Sequence, residues 1–222
     1  MVSKIKICGL TSAAAVSAAV SSGVDYLGFV FYEPSPRHLD YDQAAALGSK
    51  LSGPVKKVAL TVDAEDARLE AILKSLNPDL MQLHGSETPE RIARVRDKFG
   101  IQVIKAIKIA VPDDLAVIDE FADIADMLLF DAKMQSNDRN ALPGGNGVRF
   151  DWDILASIKL DRPFMLSGGL DASNVGAAIA QLHPAILDVS SGVESAPGKK
   201  DPALIRAFAK AVAKANQQEQ AA

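Results

Sequence analysis

Eight short runs of aliphatic and β-branched residues recur along this chain, and each is followed by a stretch with helical or turn-rich spacing. The runs are Lys4 to Gly9, Tyr26 to Phe31, Lys56 to Val62, Leu80 to His84, Gln102 to Ile107, Met127 to Asp131, Pro163 to Ser167 and Ile186 to Ser190. Strands spaced so widely cannot be joined by hairpins, and repeated right-handed crossovers in a parallel sheet follow. Between them, helical spacing covers Ser12 to Ser22, Tyr41 to Leu51, Ala64 to Ser75, Pro89 to Phe99, Asp113 to Ala122, Trp152 to Ile158, Ala172 to Gln181 and Pro202 to Ala215. Thr88 before Pro89 and Asp201 before Pro202 read as N-caps followed by proline at the first helical position.

Eight such pairs in 222 residues leave little chain for anything else. The pattern therefore predicts one α/β domain over residues 1–222, a closed (β/α)8 TIM barrel, ahead of an open doubly wound sheet. Residues 217–222 are expected to fray. No linker divides the chain. The segment Lys133 to Val148, rich in glycine, asparagine and polar residues, follows a strand directly and reads as a long βα loop, expected to act as a mobile lid.

Composition excludes some functions. Hydrophobic residues make up 48% and charged residues 23% of the chain, which rules against disorder and coiled coil. A net charge of -4, from 24 Lys and Arg against 28 Asp and Glu, argues against nucleic-acid partners but leaves room for a local anion site. Ala13 to Val20 is apolar but too short to span a bilayer, and no signal-peptide pattern follows Lys4 and Lys6, so no membrane partner and a cytoplasmic location are expected.

In a parallel barrel the chemistry sits at the carboxyl ends of the strands. The polar residues that end these runs are Cys8, His84, Asp131, Ser167-Gly168-Gly169, and Asp188 with Ser190-Ser191-Gly192, while Arg37 lies just beyond the second run. Gly168, Gly169, Ser191 and Gly192 follow strands seven and eight, where barrels commonly bind phosphate through loop amides. Each of the other residues also has an ordinary reading: Asp131 as a loop cap, Arg37 as a solvated charge, His84 as a structural histidine.

Cys8 is the only cysteine, so it is either a small core residue or a reactive thiol at a strand end. Alternation puts Lys4, Lys6 and Cys8 on one face and Ile5 and Ile7 on the other. If the isoleucines meet the helices, Lys6 points into the barrel behind Cys8, and its ammonium is expected to lower the thiol pKa.

Several segments together resemble the phosphoribosylanthranilate isomerases of tryptophan biosynthesis. They are Lys6 to Thr11, Gly28 to Phe31 with Ser35-Pro36-Arg37, Gln82-Leu83-His84-Gly85, Asp131 followed by Gly144-Gly145-Asn146-Gly147, Phe150-Asp151-Trp152, Leu166 to Leu170 with Asn174-Val175, and Asp188 to Glu194 through Gly198-Lys199-Lys200-Asp201. The resemblance implies a (β/α)8 barrel that converts N-(5-phosphoribosyl)anthranilate to 1-(2-carboxyphenylamino)-1-deoxyribulose 5-phosphate by an Amadori rearrangement, with neither metal nor organic cofactor. By it, Asp131 is the general acid, Cys8 the general base, Arg37 the group that holds the anthranilate carboxylate, and Gly168, Gly169, Ser191 and Gly192 the phosphate turns. His84 and Asp188 are substrate contacts in that reading. The partner is then a small phosphosugar, and the protein a monomer or homodimer. Asn146 departs from the Thr or Ser more usual there, which implies an altered loop contact with activity retained.

Two other readings stand beside it. Another phosphosugar barrel, such as an indole glycerol phosphate synthase or a histidine-pathway isomerase, is disfavoured by a cysteine at the end of strand one. A non-catalytic phosphate-binding barrel would keep the glycine turns but need neither Cys8 nor Asp131.

Overall fold

The computed structural model of the chain describes residues 2–51, 53–133, 151–157 and 162–221. Eight parallel strands close into a barrel in sequence order: β1 Lys4–Cys8, β2 Tyr26–Phe31, β3 Lys56–Thr61, β4 Leu80–Leu83, β5 Gln102–Ile109, β6 Met127–Ala132, β7 Phe164–Leu166 and β8 Ile186–Val189. β1 pairs with both β2 and β8, so no barrel strand presents an open edge. Around them stand α1 Ala13–Ser21, α2 Tyr41–Gly48, α3 Asp66–Leu76, α4 Pro89–Phe99, α5 Ile118–Ala122, α6 Asp153–Ala156, α7 Val175–Leu182 and α8 Pro202–Ala221.

Period-two alternation divides the core in two. Ile5, Ile7, Leu27, Phe29, Met81 and Phe130 face outward and join the helices in one large cluster. Val58, Leu80, Ile104, Ala106, Leu129, Met165 and Ile186 face inward and plug the barrel as packed layers. At the carboxyl end the interior turns polar, where Cys8 packs with Val30 and Leu60.

The caps form as expected. The Thr88 side chain accepts from the Arg91 amide at 3.3 Å, and Asp201 accepts from the Ala203 amide at 2.7 Å. Three regions depart from the sequence expectation. The stretch before β6 splits into a 3-10 helix, Pro112–Val117, and the short α5. A two-stranded antiparallel hairpin, β9 Glu194–Ala196 with β10 Lys199–Lys200, follows β8 unannounced. Finally, α8 runs as helix to Ala221, through residues expected to fray. Asn216 exchanges two hydrogen bonds with the Ser3 backbone and Glu219 meets His183 at 3.2 Å, which ties the last turns down. The expected lid, apart from Lys133, lies outside the described residues, as does the Gly144 to Gly147 turn.

Candidate active site

One cavity opens at the carboxyl ends of the barrel strands. Cys8, Arg37, His84, Asp131 and Asp188 all line it, together with Val30, Tyr32, Ser35, Leu60, Val62, Gln82, Ser167 and Ser190. Five residues singled out from sequence, spread over 181 positions, thus share one site. Strand geometry explains the convergence: inward positions at the top of β1, β4, β6 and β8 cannot point anywhere else.

The phosphate turns stand just outside this lining, each adjoining a lining serine, Ser167 or Ser190. The two turns pack on each other. A Cβ at Gly192 would collide with the Leu170 carbonyl oxygen, and Gly168, at φ 90°, would carry one only 2.7 Å from the Ala132 amide nitrogen. Glycine is required at both, and the loops after β7 and β8 form a single backbone surface.

At the barrel axis, the Lys6 ammonium is fully buried and donates to Asp188 Oδ1 at 2.9 Å. Lys6 therefore does sit behind Cys8 and favours the thiolate as expected, but the net shift of the thiol is upward. Burial pushes the Cys8 pKa up; Lys6 pulls it down, and the Asp188 carboxylate works against Lys6. Sequence alternation located the cation without showing that it already had an anionic partner, 182 residues away in sequence. For Lys6 itself, burial disfavours charge but Asp188 outweighs it, holding its pKa above the ordinary value.

Asp131, 3% exposed, accepts from the Ala132 amide at Oδ1 (3.0 Å), while Oδ2 lies 3.2 Å from His84 Nε2. The other ring nitrogen, Nδ1, lies 2.9 Å from Gln82 Nε2, and Gln82 is completely buried. Behind this row, Lys105 donates to the Gly85 carbonyl and to Glu87 Oε2, both at 2.7 Å, and Glu87 accepts from the Gly85 amide. That buried pair fixes the loop that carries His84.

Arg37 crosses from the β2 loop to the β8 side. Its Nε and Nη2 each donate to Glu194 at 2.8 Å, a bidentate fork that few other side chains could make. Lys200 donates to the same carboxylate at 2.6 Å and to the Ser190 carbonyl and hydroxyl. One carboxylate so serves two cations. Burial pulls the Lys200 pKa down to about 8 although Glu194 opposes it. For Glu194, burial acts upward, and the two cations outweigh it.

Lys6 was the one supporting residue whose place sequence alternation indicated. Gln82, Glu194 and Lys200 lay inside the motifs that carried the resemblance, but local sequence contains no sign of what each would meet. Among the described residues no cluster of His, Cys, Asp and Glu is arranged to hold a metal ion, and no helix is long and apolar enough to cross a membrane.

A closed parallel barrel that gathers a thiol, two carboxylates, an imidazole and a guanidinium at its strand ends is built as a small-molecule (β/α)8 enzyme. Residues 5–211 match the family model described as N-(5'phosphoribosyl)anthranilate (PRA) isomerase, and the chain belongs to that family. The N-(5'-phosphoribosyl)anthranilate isomerase of Parvibaculum lavamentivorans is 49% identical over 212 residues, 96% of this chain and 99% of that protein. The crystal structure of phosphoribosyl anthranilate isomerase from Thermotoga maritima superposes with a TM-score of 0.85 at 33% identity, covering 96% of this chain and all of that one. A second crystal structure, of the same enzyme type in complex with reduced 1-(o-carboxyphenylamino)-1-deoxyribulose 5-phosphate, gives a TM-score of 0.82 at 32% identity, with 96% and 100% covered.

Proposed function

We propose that this barrel carries out the family's reaction with Asp131 as general acid and Cys8 as general base. The reaction is the isomerisation of N-(5-phosphoribosyl)anthranilate, an aldose derivative, to the 1-deoxyribulose product in tryptophan biosynthesis. The observation that supports these roles best is the shared cavity, which Cys8 and Asp131 enter from non-adjacent strands. Groups so separated can donate and accept protons at different substrate atoms without neutralising each other.

Asp131, protonated, gives its proton to the furanose ring oxygen. The bond from that oxygen to C1 breaks, and the anthranilate nitrogen lone pair forms the C=N bond of a protonated Schiff base. Cys8, as thiolate, then removes the C2 proton, and the C–H electrons form the C1=C2 bond of a neutral enolamine. Tautomerisation gives the ketone. A proton passing from the Cys8 thiol to the Asp131 carboxylate through solvent resets both groups.

The remaining cavity residues fit binding roles. Arg37, oriented by its fork to Glu194, is suited to the planar anthranilate carboxylate. The backbone at Gly168, Gly169, Ser191 and Gly192 is suited to the phosphate. Asp188 keeps Lys6 charged behind the thiol, and His84 touches Asp131. The protein is proposed to act as a monomer or a homodimer.

The test is loss of anthranilate-type fluorescence on adding freshly made substrate, corrected for its spontaneous hydrolysis. Cys8→Ala and Asp131→Asn should each slow turnover at least about 100-fold with the fold intact. Turnover near the parent rate in both variants would sink the assignment of Cys8 and Asp131 as base and acid.

A further inference from the structure

Gln82 is wholly buried, yet its Oε1 meets no hydrogen-bond partner. An unsatisfied buried amide oxygen costs about 1–3 kcal/mol, so its retention beside the proposed acid calls for a reason. The amide nitrogen lies 2.9 Å from His84 Nδ1, and His84 Nε2 lies 3.2 Å from Asp131 Oδ2. An amide nitrogen can only donate, so in this arrangement Nδ1 accepts and Nε2 carries the ring proton, which points at the Asp131 carboxylate.

That arrangement holds one proton between His84 and Asp131. A general acid needs a second. When the pair holds two, one lies between Nε2 and Oδ2; Oδ1 already accepts from the Ala132 amide, which favours Nδ1 for the other. Nδ1 is then a donor, and a facing NH2 group would repel it. Rotating the Gln82 amide by half a turn places Oε1 there instead, within the same volume, and satisfies the oxygen that is unpaired in the one-proton state.

We propose that Gln82 is a positioning residue whose amide turns over with the proton load of the His84–Asp131 pair. It donates to Nδ1 when the pair holds one proton and accepts from Nδ1 when it holds two. The amide thereby sets the pH at which the acid is charged for the next ring opening. This role rests on the assignment of Asp131 as the acid. The other ionisable groups around the pair are Cys8, Tyr32, Arg37 and Asp188 in the cavity, Lys108, the β5 register partner of Asp131, and the Lys105–Glu87 pair behind Gly85.

Two variants separate the outcomes. Gln82→Met preserves volume but leaves Nδ1 without a partner, so the doubly protonated pair should form only at lower pH. Gln82→Glu supplies an acceptor that favours a proton on Nδ1, so the pair should stay charged to higher pH. A hydrogen bond to a charged group is worth enough to move the midpoint by about one pH unit in each direction.

Imidazole nitrogen NMR of the full chain, assigned by the signals lost in His84→Asn, follows the ring tautomer directly. The parent should show the Nε2–H tautomer when neutral, and Gln82→Glu the Nδ1–H form. In single-turnover rate against pH, the limb that does not coincide with Cys8 alkylation should move down in Gln82→Met and up in Gln82→Glu. The proposal fails if both variants leave the tautomer and that limb in place, or change only KM, while Asp131→Asn is inactive. An active Asp131→Asn sinks the acid assignment instead, so the two failures are distinguishable.

Discussion

At the scale of single residues, the thiol is the point on which the proposed chemistry turns. Cys8 packs with Val30 and Leu60, and burial raises its pKa in spite of Lys6. In the free protein, alkylation of Cys8 should therefore accelerate with a midpoint above the ordinary thiol value of about 8.5. Since this is the only cysteine, iodoacetamide labelling followed by mass spectrometry reads it directly. A midpoint at or below that value would restore the lowered-thiol expectation. Opposite the thiol lies Gly28, where an added Cβ would stand 2.9 Å from Cys8 Cα and 3.1 Å from Sγ. Both contacts are closer than packed carbon and sulfur tolerate, and one is to backbone, so β1 and β2 would have to part. Gly28→Ala should cost about 1–3 kcal/mol in urea unfolding and lower turnover by displacing Sγ. Unchanged turnover would show that the thiol position is not critical.

At the scale of elements, the strand order was legible because inward and outward positions alternate, and a polar residue closes several runs. The β9–β10 hairpin was not, because Glu194–Ala196 and Lys199–Lys200 are too short and too polar to show period-two hydrophobicity. It is held by contacts remote in sequence: Arg37 reaches Glu194 across 157 positions, and Thr11 Oγ1 donates to the Gly198 carbonyl. Lys200 and Gln82 meet partners only six and two positions away, Glu194 and His84, but nothing in the local sequence shows that those pairs form. Lys200 gives this element a pH signature. Its folded pKa, about 8, lies below the usual 10.5, so the folded state holds fewer protons than the unfolded state between those values. Stability from this group is fully present above 10.5 and is lost as pH falls through about 8. Relative to Lys200→Met, the parent should therefore gain stability as pH rises across that window, measured by urea unfolding of both proteins. A constant difference would mean that Glu194 keeps Lys200 at its ordinary value.

At the scale of the molecule, closure of the barrel turns eight separate strand ends into one cavity. The pattern of runs carried that closure in the sequence, whereas the orientation of the Arg37 guanidinium and the Lys6 ammonium depended on partners that only closure brings near. Closure also gathers the candidate residues of the site within one barrel. Cys8, Arg37, His84, Asp131 and Asp188 all enter the cavity from the same barrel, and the phosphate turns pack against each other within it. We expect association with a second copy to act on stability and not on chemistry. Turnover per chain should stay constant as the protein is diluted from micromolar to nanomolar, including across any dimer dissociation seen by sedimentation over the same range. A fall in turnover that tracks dissociation, with unfolding excluded by circular dichroism, would show that a neighbouring chain completes or braces the loops at the barrel mouth.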